Sequence, residues 1–393
     1  MSPAPAPGTD PSGSPPVTGA WREGDDPGRR HFAEIGTLLL ECGQELPGVR
    51  LAYETWGRLS PEKDNAVLVL HALTGDSHVS GPAAPGHPTP GWWEGLIGPG
   101  QAIDTDQWFV VAPNVLGGCQ GSTGPSSVSP DGRAWGSRFP FITVRDQAEA
   151  EAVLSDELGI DCWQLVMGGS MGGMRALEWA ATHPARVARL MVLACTAAAT
   201  GDQIAWCSPQ LEAIRSDAGY LGGDYYDVAQ GRGPVAGLEV ARQIAHVTYR
   251  SAPELDLRFG RSAQPGERPL QGRGRYAVES YLQHHGGKLA RRFDAGSYVV
   301  LTESMSSHDV GRGRGGVEAA LARITARTVV AGVDSDRLYP LRQSQELAEG
   351  ISGCSAMDVI SSPYGHDGVL LETAAVAGLV RGLLGCCAHP AQA

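Results

Sequence analysis

The sequence has no excess of positive charge. Its 393 residues carry 31 lysine and arginine side chains against 43 aspartate and glutamate side chains, a formal net charge of −12. General nucleic-acid binders and polybasic membrane surfaces have the opposite balance, so we expect neither a nucleic-acid partner nor a membrane partner. An anionic small ligand held by a few local donors is still compatible with this composition.

Long hydrophobic runs are also missing. The longest, such as "NAVLVLHAL" and "RLMVLACTA", have about half of the roughly 20 residues that span a bilayer. The first 30 residues have neither the basic region nor the apolar region of a secretory signal. We therefore expect a cytoplasmic protein.

The eight cysteines lack the close pairs of a metal or redox motif. Several lie in apolar segments, which is typical of buried free thiols. The cysteines are Cys42, Cys119, Cys162, Cys195, Cys207, Cys354, Cys386 and Cys387. They give no reason to expect a metal site.

The two ends of the chain have few large apolar residues. Residues 1–30 are dense in proline, glycine, serine and aspartate, and such a segment cannot offset the entropy of ordering. We therefore predict a disordered tail over residues 1–30 and a short tail over residues 386–393.

Between the tails, strand-like runs alternate with helix-like segments. The runs are "TLLLECG", "VRLAYETWG", "NAVLVLHAL", "WFVVAPNVL", "WQLVMGG", "RLMVLACTA", "RTVVAGVD" and "AMDVISS". Several are continuously apolar, as strands covered on both faces require. The alternation predicts an α/β fold with a mainly parallel sheet.

The alternation stops at about Ala199 and resumes at Val317, and the intervening sequence is polar and helix-prone. Too few strands follow to build a second core. We therefore predict one core domain, residues 31–198 and 317–385, with a helical lid inserted over residues 199–316.

Ser170 lies in the motif G-x-S-x-G, formed with Gly168 and Gly172. The motif describes a sharp strand-to-helix turn that exposes a nucleophilic serine. With 53 glycines in the chain the motif alone is weak, and the serine could simply be a small residue in a turn. The strand-like "CWQLVM" before it and the helix-like "MRALEWA" after it favour the nucleophile.

A serine nucleophile needs a histidine base, which a carboxylate orients. In the hydrolase arrangement the acid follows the serine and the histidine comes last. Of the eleven histidines, His366 in "SSPYGHDGVL" fits this order best. The preceding strand offers both Asp334 and Asp336 as the acid, and spacing does not decide between them.

An oxyanion hole needs two backbone N–H groups, one from the residue after the nucleophile and one from a loop after an early strand. These requirements select Met171 and Leu73. His71 and Asp76 flank the latter loop, and we expect structural roles for both.

Long motifs in order, including "HALTGDSH", "GGSMGGMRALEWA", "ARQIAHVTYRS", "RFDAGSYVVLT" and "YGHDG", resemble the homoserine O-acetyltransferases of methionine biosynthesis over residues 31–385. This resemblance implies an α/β-hydrolase fold with an inserted helical lid that forms a homodimer. It also implies a catalytic triad of Ser170, Asp336 and His366, with Asp334 as the alternative acid.

The same resemblance implies acetyl-CoA and L-homoserine as substrates. Arg242 and Tyr249 of the lid, with Asp367, would bind the amino-acid head of homoserine, because an arginine can hold a carboxylate and an aspartate can pair with an ammonium. Arg242 and Tyr249 could instead merely pack one face of a lid helix. No metal or organic cofactor is expected.

Several alternatives stay open at this point. The donor could be succinyl-CoA, or the acceptor could be serine, because a single pocket residue can change such a preference. An esterase would use the same triad. A binding module on an inactive hydrolase scaffold would need a broken triad, and all three members are present.

Overall fold

The computed structural model describes residues 15–272 and 274–385, and its main sheet has eight strands. The strands in chain order are β1 (His31–Leu39), β2 (Glu45–Trp56), β3 (Ala66–Leu70), β4 (Ile97–Gly98), β5 (Ile103–Asp104), β6 (Phe109–Pro113), β7 (Leu165–Gly169), β8 (Arg189–Leu193), β9 (Arg327–Val333) and β10 (Cys354–Ile360). Each of the eight runs predicted as strands overlaps one strand of the main sheet, which confirms them. The short strands β4 and β5 form a separate pair.

The main sheet has the order β1-β2-β6-β3-β7-β8-β9-β10. Strand β2 pairs antiparallel with both β1 and β6, and every pair from β6 to β10 is parallel. The mainly parallel sheet is therefore confirmed. The carboxyl ends of the central strands meet at one edge, where ligand sites form in such sheets.

Both faces of the sheet are covered. Along β3, Leu68 and Leu70 belong to one buried cluster, whereas Val67 and Val69 belong to a second cluster. Since successive side chains of a strand point to opposite faces, the two clusters lie on opposite sides of the sheet. This burial explains why the run is apolar throughout rather than alternating.

Eleven α-helices surround the sheet in the described part of the chain. They are α1 (Val144–Leu158), α2 (Met171–Thr182), α3 (Gly201–Arg215), α4 (Val235–Tyr249), α5 (Ala252–Phe259), α6 (Ala277–Ala290), α7 (Ala295–Ser306), α8 (Val317–Leu321), α9 (Leu341–Gly350), α10 (Gly368–Leu371) and α11 (Thr373–Leu384). Helix α1 begins at a capping box of Thr143 and Asp146 and ends at Gly159, whose φ is 67°. No described helix has the length and apolar character needed to cross a membrane.

Helices α3 to α7 lie in the predicted lid, between β8 and β9. Within it, α3 packs on α4 and α4 packs on α6. The two connections to the core bond to each other: Ala199 N donates to His308 O at 2.8 Å, and Val310 N donates to Ala197 O at 2.9 Å. The inserted helices therefore leave and re-enter the core at one place.

The prediction of a disordered tail is wrong for residues 15–30, which we call the N-terminal segment. Its Gly19 N donates to Phe293 O at 3.1 Å, and Trp21 N donates to Cys119 O at 2.9 Å. Thr18 Oγ1 donates to Asp294 Oδ1 at 2.7 Å. Both backbone and side-chain groups therefore hold the segment, through contacts with distant residues that composition does not report. Residues 1–14 and 386–393, also predicted as tails, lie outside the described residues.

The six cysteines among the described residues are free thiols. Cys119 and Cys195 are buried, and burial raises the pKa of both thiols well above the ordinary value. Both are therefore unreactive at neutral pH. Cys386 and Cys387 lie outside the described residues.

Candidate active site

Ser170 lies at the sharp turn between β7 and α2. Its φ is 57° and its ψ is −125°, a strained conformation, and its N–H donates to Leu193 O at 2.9 Å. A Cβ on Gly168 would lie 2.4 Å from the carbonyl carbon of Gly172, and one on Gly172 would lie 2.0 Å from Leu70 O. The glycines of the motif are therefore required by close backbone approach.

His366 and Asp336 form a buried pair. His366 Nδ1 lies 2.7 Å from Asp336 Oδ2. The other oxygen of Asp336 accepts from the backbone N–H groups of Leu338 at 2.8 Å and Tyr339 at 2.9 Å. Burial lowers the pKa of His366, but the charge and hydrogen bond of Asp336 outweigh burial and hold that pKa above its ordinary 6.5.

Asp334, the alternative acid, has other partners. Its carboxylate accepts from Ser361 Oγ at 2.8 Å and from Ser362 N at 3.0 Å, and its backbone N–H donates to Ile360 O at 3.1 Å. It therefore fastens the loop after β9 to the loop after β10. The geometry favours Asp336 as the partner of the histidine.

Ser170 and His366 line one cavity, in which most of the other lining residues are apolar or aromatic. These include Trp92, Trp93, Met174, Trp206, Met305 and Leu338. The Tyr339 ring stacks on the His366 ring with centroids 5.0 Å apart. Such packing keeps the imidazole in one orientation.

The two residues predicted to form an oxyanion hole border Ser170. Met171 is the first residue of α2, where a helix leaves its backbone N–H groups without intrahelical partners. Leu73 lines the cavity from the loop after β3. The oxyanion hole itself stays a prediction.

His71 is a structural residue of that loop. Its Nε2 accepts from Val115 N at 3.0 Å, and its Nδ1 lies 2.8 Å from Ala72 O. Burial and the nearby Arg175 charge lower the pKa of His71 to about 3. A neutral imidazole with both nitrogens bonded to backbone groups agrees with the structural role expected from the sequence.

The three residues predicted to bind the homoserine head also line the cavity. Arg242 and Tyr249 lie on α4, and the guanidinium carbon of Arg242 is 5.2 Å from the centroid of the Tyr249 ring. Asp367 follows His366 in a 3₁₀ turn. The site therefore offers a cation, a phenol and a carboxylate within reach of the serine and histidine.

Sequence reasoning missed Arg250. Its Nη1 lies 3.4 Å from Asp367 Oδ2, and its Nη2 donates to Glu254 Oε1 at 2.7 Å. Burial raises the pKa of Asp367, and the charges of Arg242 and Arg250 offset that rise only in part. Arg250 stands next to Tyr249 in "ARQIAHVTYRS", but nothing in that spacing indicates a partner 117 residues away.

Glu54, His78 and His87 form the single group of three metal-ligating side chains found among the described residues. Most of their ring nitrogens and carboxylate oxygens have protein partners, and His87 Nδ1 is the exception. His78 Nδ1 lies 3.0 Å from Glu54 Oε2, and Arg29 N donates to His87 Nε2 at 3.0 Å. Ser77 Oγ donates to the other oxygen of Glu54 at 2.8 Å. This bonding indicates a buried hydrogen-bond cluster rather than an open ligand set.

Comparison with known proteins agrees with this geometry. A family model described as the alpha/beta hydrolase fold matches residues 65–373. The homoserine O-acetyltransferase of Thermobifida fusca is 67% identical over 370 residues, which are 94% of this chain and 97% of that protein.

Solved structures show the same similarity. The homoserine O-acetyltransferase of Bacillus anthracis is 26% identical with a TM-score of 0.82, over 90% of this chain and 97% of that one. An acetylester hydrolase of Corynebacterium glutamicum is also 26% identical, with a TM-score of 0.77, over 91% of this chain and 97% of that one. By its similarity along nearly the full length, the chain belongs to the homoserine O-acetyltransferase family of the α/β-hydrolase fold.

Proposed function

We propose that this protein transfers the acetyl group of acetyl-CoA to the side-chain hydroxyl of L-homoserine, a reaction of methionine biosynthesis. The observation that carries the proposal is the His366–Asp336 pair beside Ser170, in one cavity with Arg242, Tyr249 and Asp367. The first three residues supply covalent catalysis, and the other three supply recognition of an amino acid.

In the first half-reaction His366 takes the proton of Ser170 Oγ, which attacks the thioester carbonyl of acetyl-CoA. The backbone N–H groups of Leu73 and Met171 stabilise the negative oxygen of the tetrahedral intermediate. The C–S bond then breaks, the thiolate of CoA receives the proton from His366, and the acetyl group stays on Ser170.

In the second half-reaction the homoserine hydroxyl gives its proton to His366 and attacks the acetyl-serine. The C–O bond to Ser170 breaks, and His366 returns the proton to Ser170 Oγ. Arg242 and Tyr249 bind the carboxylate of homoserine, and Asp367 binds its ammonium. Orientation of this kind corresponds to effective molarities of about 10⁵ M or more, which allows the bound alcohol to compete with water.

The cavity favours an acetyl donor over a succinyl donor. Among the described residues that line it, Arg242 is the only lysine or arginine, and the proposal assigns that cation to the acceptor. The free carboxylate of a succinyl group would therefore meet apolar and aromatic side chains without a cation of its own, at a desolvation cost.

An esterase is the second candidate, because an acetylester hydrolase is among the similar structures. Arg242 and Asp367 favour the transferase, since a simple acetyl ester offers neither a carboxylate nor an ammonium to them. We further propose that the enzyme is a homodimer formed through the lid, acts in the cytoplasm and needs no metal or organic cofactor.

The test measures CoA release from acetyl-CoA with and without homoserine, together with the intact mass of the enzyme. We expect release to depend on homoserine and an acetyl-enzyme to accumulate without it. Ser170→Ala removes both signals, whereas the control Ser262→Ala, at an exposed lid serine, keeps them. Normal turnover by Ser170→Ala would disprove the mechanism, and acetate release independent of homoserine would indicate an esterase.

A further inference from the structure

A second pocket adjoins the active-site cavity and is more open to solvent. The two share a common wall of five residues: Thr74, Trp92, Arg242, Asp367 and Leu370. We call this second space the outer pocket. A ligand that reaches Ser170 from solvent through it would therefore pass Trp92.

The outer pocket is rich in cations in a chain whose net charge is −12. Four lysine or arginine side chains and two carboxylates line it: Arg242, Arg250, Lys288, Arg292, Asp76 and Asp367. Its two lid histidines add no charge at neutral pH, because burial lowers the pKa of His246 to about 2 and that of His285 to about 4.

Arg292 is fixed in the wall of the outer pocket. Its Nη1 donates to Thr74 O at 2.9 Å, and its own carbonyl accepts from Gln120 Nε2 at 2.9 Å. Burial lowers the pKa of its guanidinium, and the charge of Asp76 offsets this only in part. Within the described residues no carboxylate oxygen lies within 4.0 Å of it. A desolvated guanidinium without a carboxylate partner has donors left for an anion.

Lys288 lies one helical turn before Arg292 along the chain, at the exposed rim of the same pocket. It too has no ion pair within 4.0 Å among the residues that the structure describes. Arg242 belongs to the proposed homoserine site, and Arg250 is bonded to Glu254 and Asp367. Among the described residues, Lys288 and Arg292 are thus the two cations of the outer pocket that have neither a carboxylate partner nor a proposed role in binding homoserine.

We propose that Lys288 and Arg292 bind phosphate groups of the acyl-CoA donor. This inference rests on the proposed function, because it concerns the donor of the same reaction. In acetyl-CoA a long pantetheine arm separates the thioester from the phosphates. When the thioester lies at Ser170, the phosphates of the same molecule must therefore bind outside the apolar cavity. The outer pocket supplies cations for them.

The test compares two donors in each variant: acetyl-CoA and S-acetyl-N-acetylcysteamine, a short thioester without phosphate. For Lys288→Gln and for Arg292→Gln we expect the ratio of kcat/KM between the two donors to fall about tenfold, through a higher KM for acetyl-CoA. The ratio cancels any loss of correctly folded enzyme. Added salt should shrink the difference between wild type and Lys288→Gln, because Lys288 is exposed.

Arg291→Gln is the matched control, since Arg291 is exposed, adjacent in sequence and absent from the wall of the outer pocket. We expect its donor ratio to equal that of the wild type. Acetyl-dephospho-CoA, which has no 3′-phosphate, serves as a third donor. If the variants no longer differ from the wild type with this donor, the two cations bind the 3′-phosphate. If the difference persists, they bind the diphosphate.

An unchanged donor ratio in both variants would overturn the inference. So would a rise in the KM for homoserine alone, which would assign these cations to the acceptor. A different result would disprove the proposed function itself: the wild type would transfer acetyl to homoserine from neither acetyl-CoA nor the short thioester. That result can be told apart from an unchanged donor ratio and from a raised KM for homoserine.

Discussion

At Asp336 the two carboxylate oxygens have different tasks. One accepts two backbone N–H groups from the start of the following segment, and the other faces His366. The backbone contacts orient the carboxylate independently of the histidine. The carboxylate in turn keeps the Nδ1 proton in place, so that Nε2 is free to act as a base.

Asp336→Asn should lower kcat about 10³- to 10⁴-fold, because an amide no longer holds the imidazole in the required tautomer. The pH dependence should change as well. His366 works as the neutral base, and Asp336 raises its pKa above 6.5, so wild-type kcat/KM falls as the pH drops through that raised pKa. Without the carboxylate charge, the acid limb of the remaining activity should move to lower pH.

Asp334→Asn is the control for this experiment. Asp334 contacts Ser361 and Ser362 instead of the histidine, so we expect kcat to stay within a few fold and the acid limb to stay in place. A loss larger than that of Asp336→Asn would make Asp334 the functional acid.

Some residues of the site could be predicted from the sequence, and others could not. Chain order selected His366 from eleven histidines, because the order of the triad is fixed by the topology of the fold. Spacing left Asp334 and Asp336 equivalent, since both follow the same strand. The family resemblance favoured Asp336, and hydrogen-bond geometry separates the two physically. The contact of Arg250 with Asp367 depends on tertiary packing of the lid, which has no local signature.

Helices α1 and α2 are joined by a buried polar cluster. Glu151 of α1 accepts from Arg175 Nε at 2.8 Å and from Trp179 Nε1 at 2.9 Å, both on α2. Arg175 Nη1 also donates to His71 O at 3.2 Å, in the loop that carries Leu73. The cluster therefore connects the helix after the nucleophile with the loop of the proposed oxyanion hole.

Glu151→Gln should lower the free energy of unfolding by about 3–5 kcal/mol, because it leaves the buried guanidinium of Arg175 without its counter-charge. Urea denaturation at neutral pH measures this. Glu149→Gln is the control on the same helix: Glu149 is partly exposed beside His183, so its removal should cost less than about 1 kcal/mol. Equal losses in the two variants would contradict a special role for the buried pair.

At the level of elements, sequence patterns predicted the sheet well and the N-terminal segment poorly. Continuous apolar runs such as "NAVLVLHAL" identify strands because burial on both faces leaves no polar position. The N-terminal segment has no such run. Its Gly19 fits so closely that a Cβ would lie 2.4 Å from Phe293 N, and close backbone packing of this kind leaves no mark in hydrophobic periodicity.

At the scale of the whole molecule, large apolar side chains are exposed on the surface of the lid. Leu257 on α5 and Leu270 in the following loop are each 90% exposed. Such side chains on a lid fit the proposed homodimer, although single exposed leucines are common on protein surfaces.

Leu257→Asp should shift the protein from dimer to monomer in light scattering after size-exclusion chromatography, since a buried, unpaired charge opposes association. Leu39→Asp is the control, because Leu39 is 70% exposed on the edge strand β1, which belongs to the core sheet and not to the lid. Dissociation by Leu39→Asp instead would place the interface at the sheet edge. A monomeric wild type would contradict the proposed dimer outright.

The N-terminal segment also constrains the order of events on the ribosome. Its partners Phe293 and Asp294 are synthesised more than 270 residues after Thr18 and Gly19. The backbone N–H of Gly19 and the hydroxyl of Thr18 must therefore wait for these partners until the lid has emerged and docked, even though domains begin to fold from the N-terminus during synthesis. Thr18 and Gly19, near the start of the described chain, are therefore among the last residues to make their native contacts.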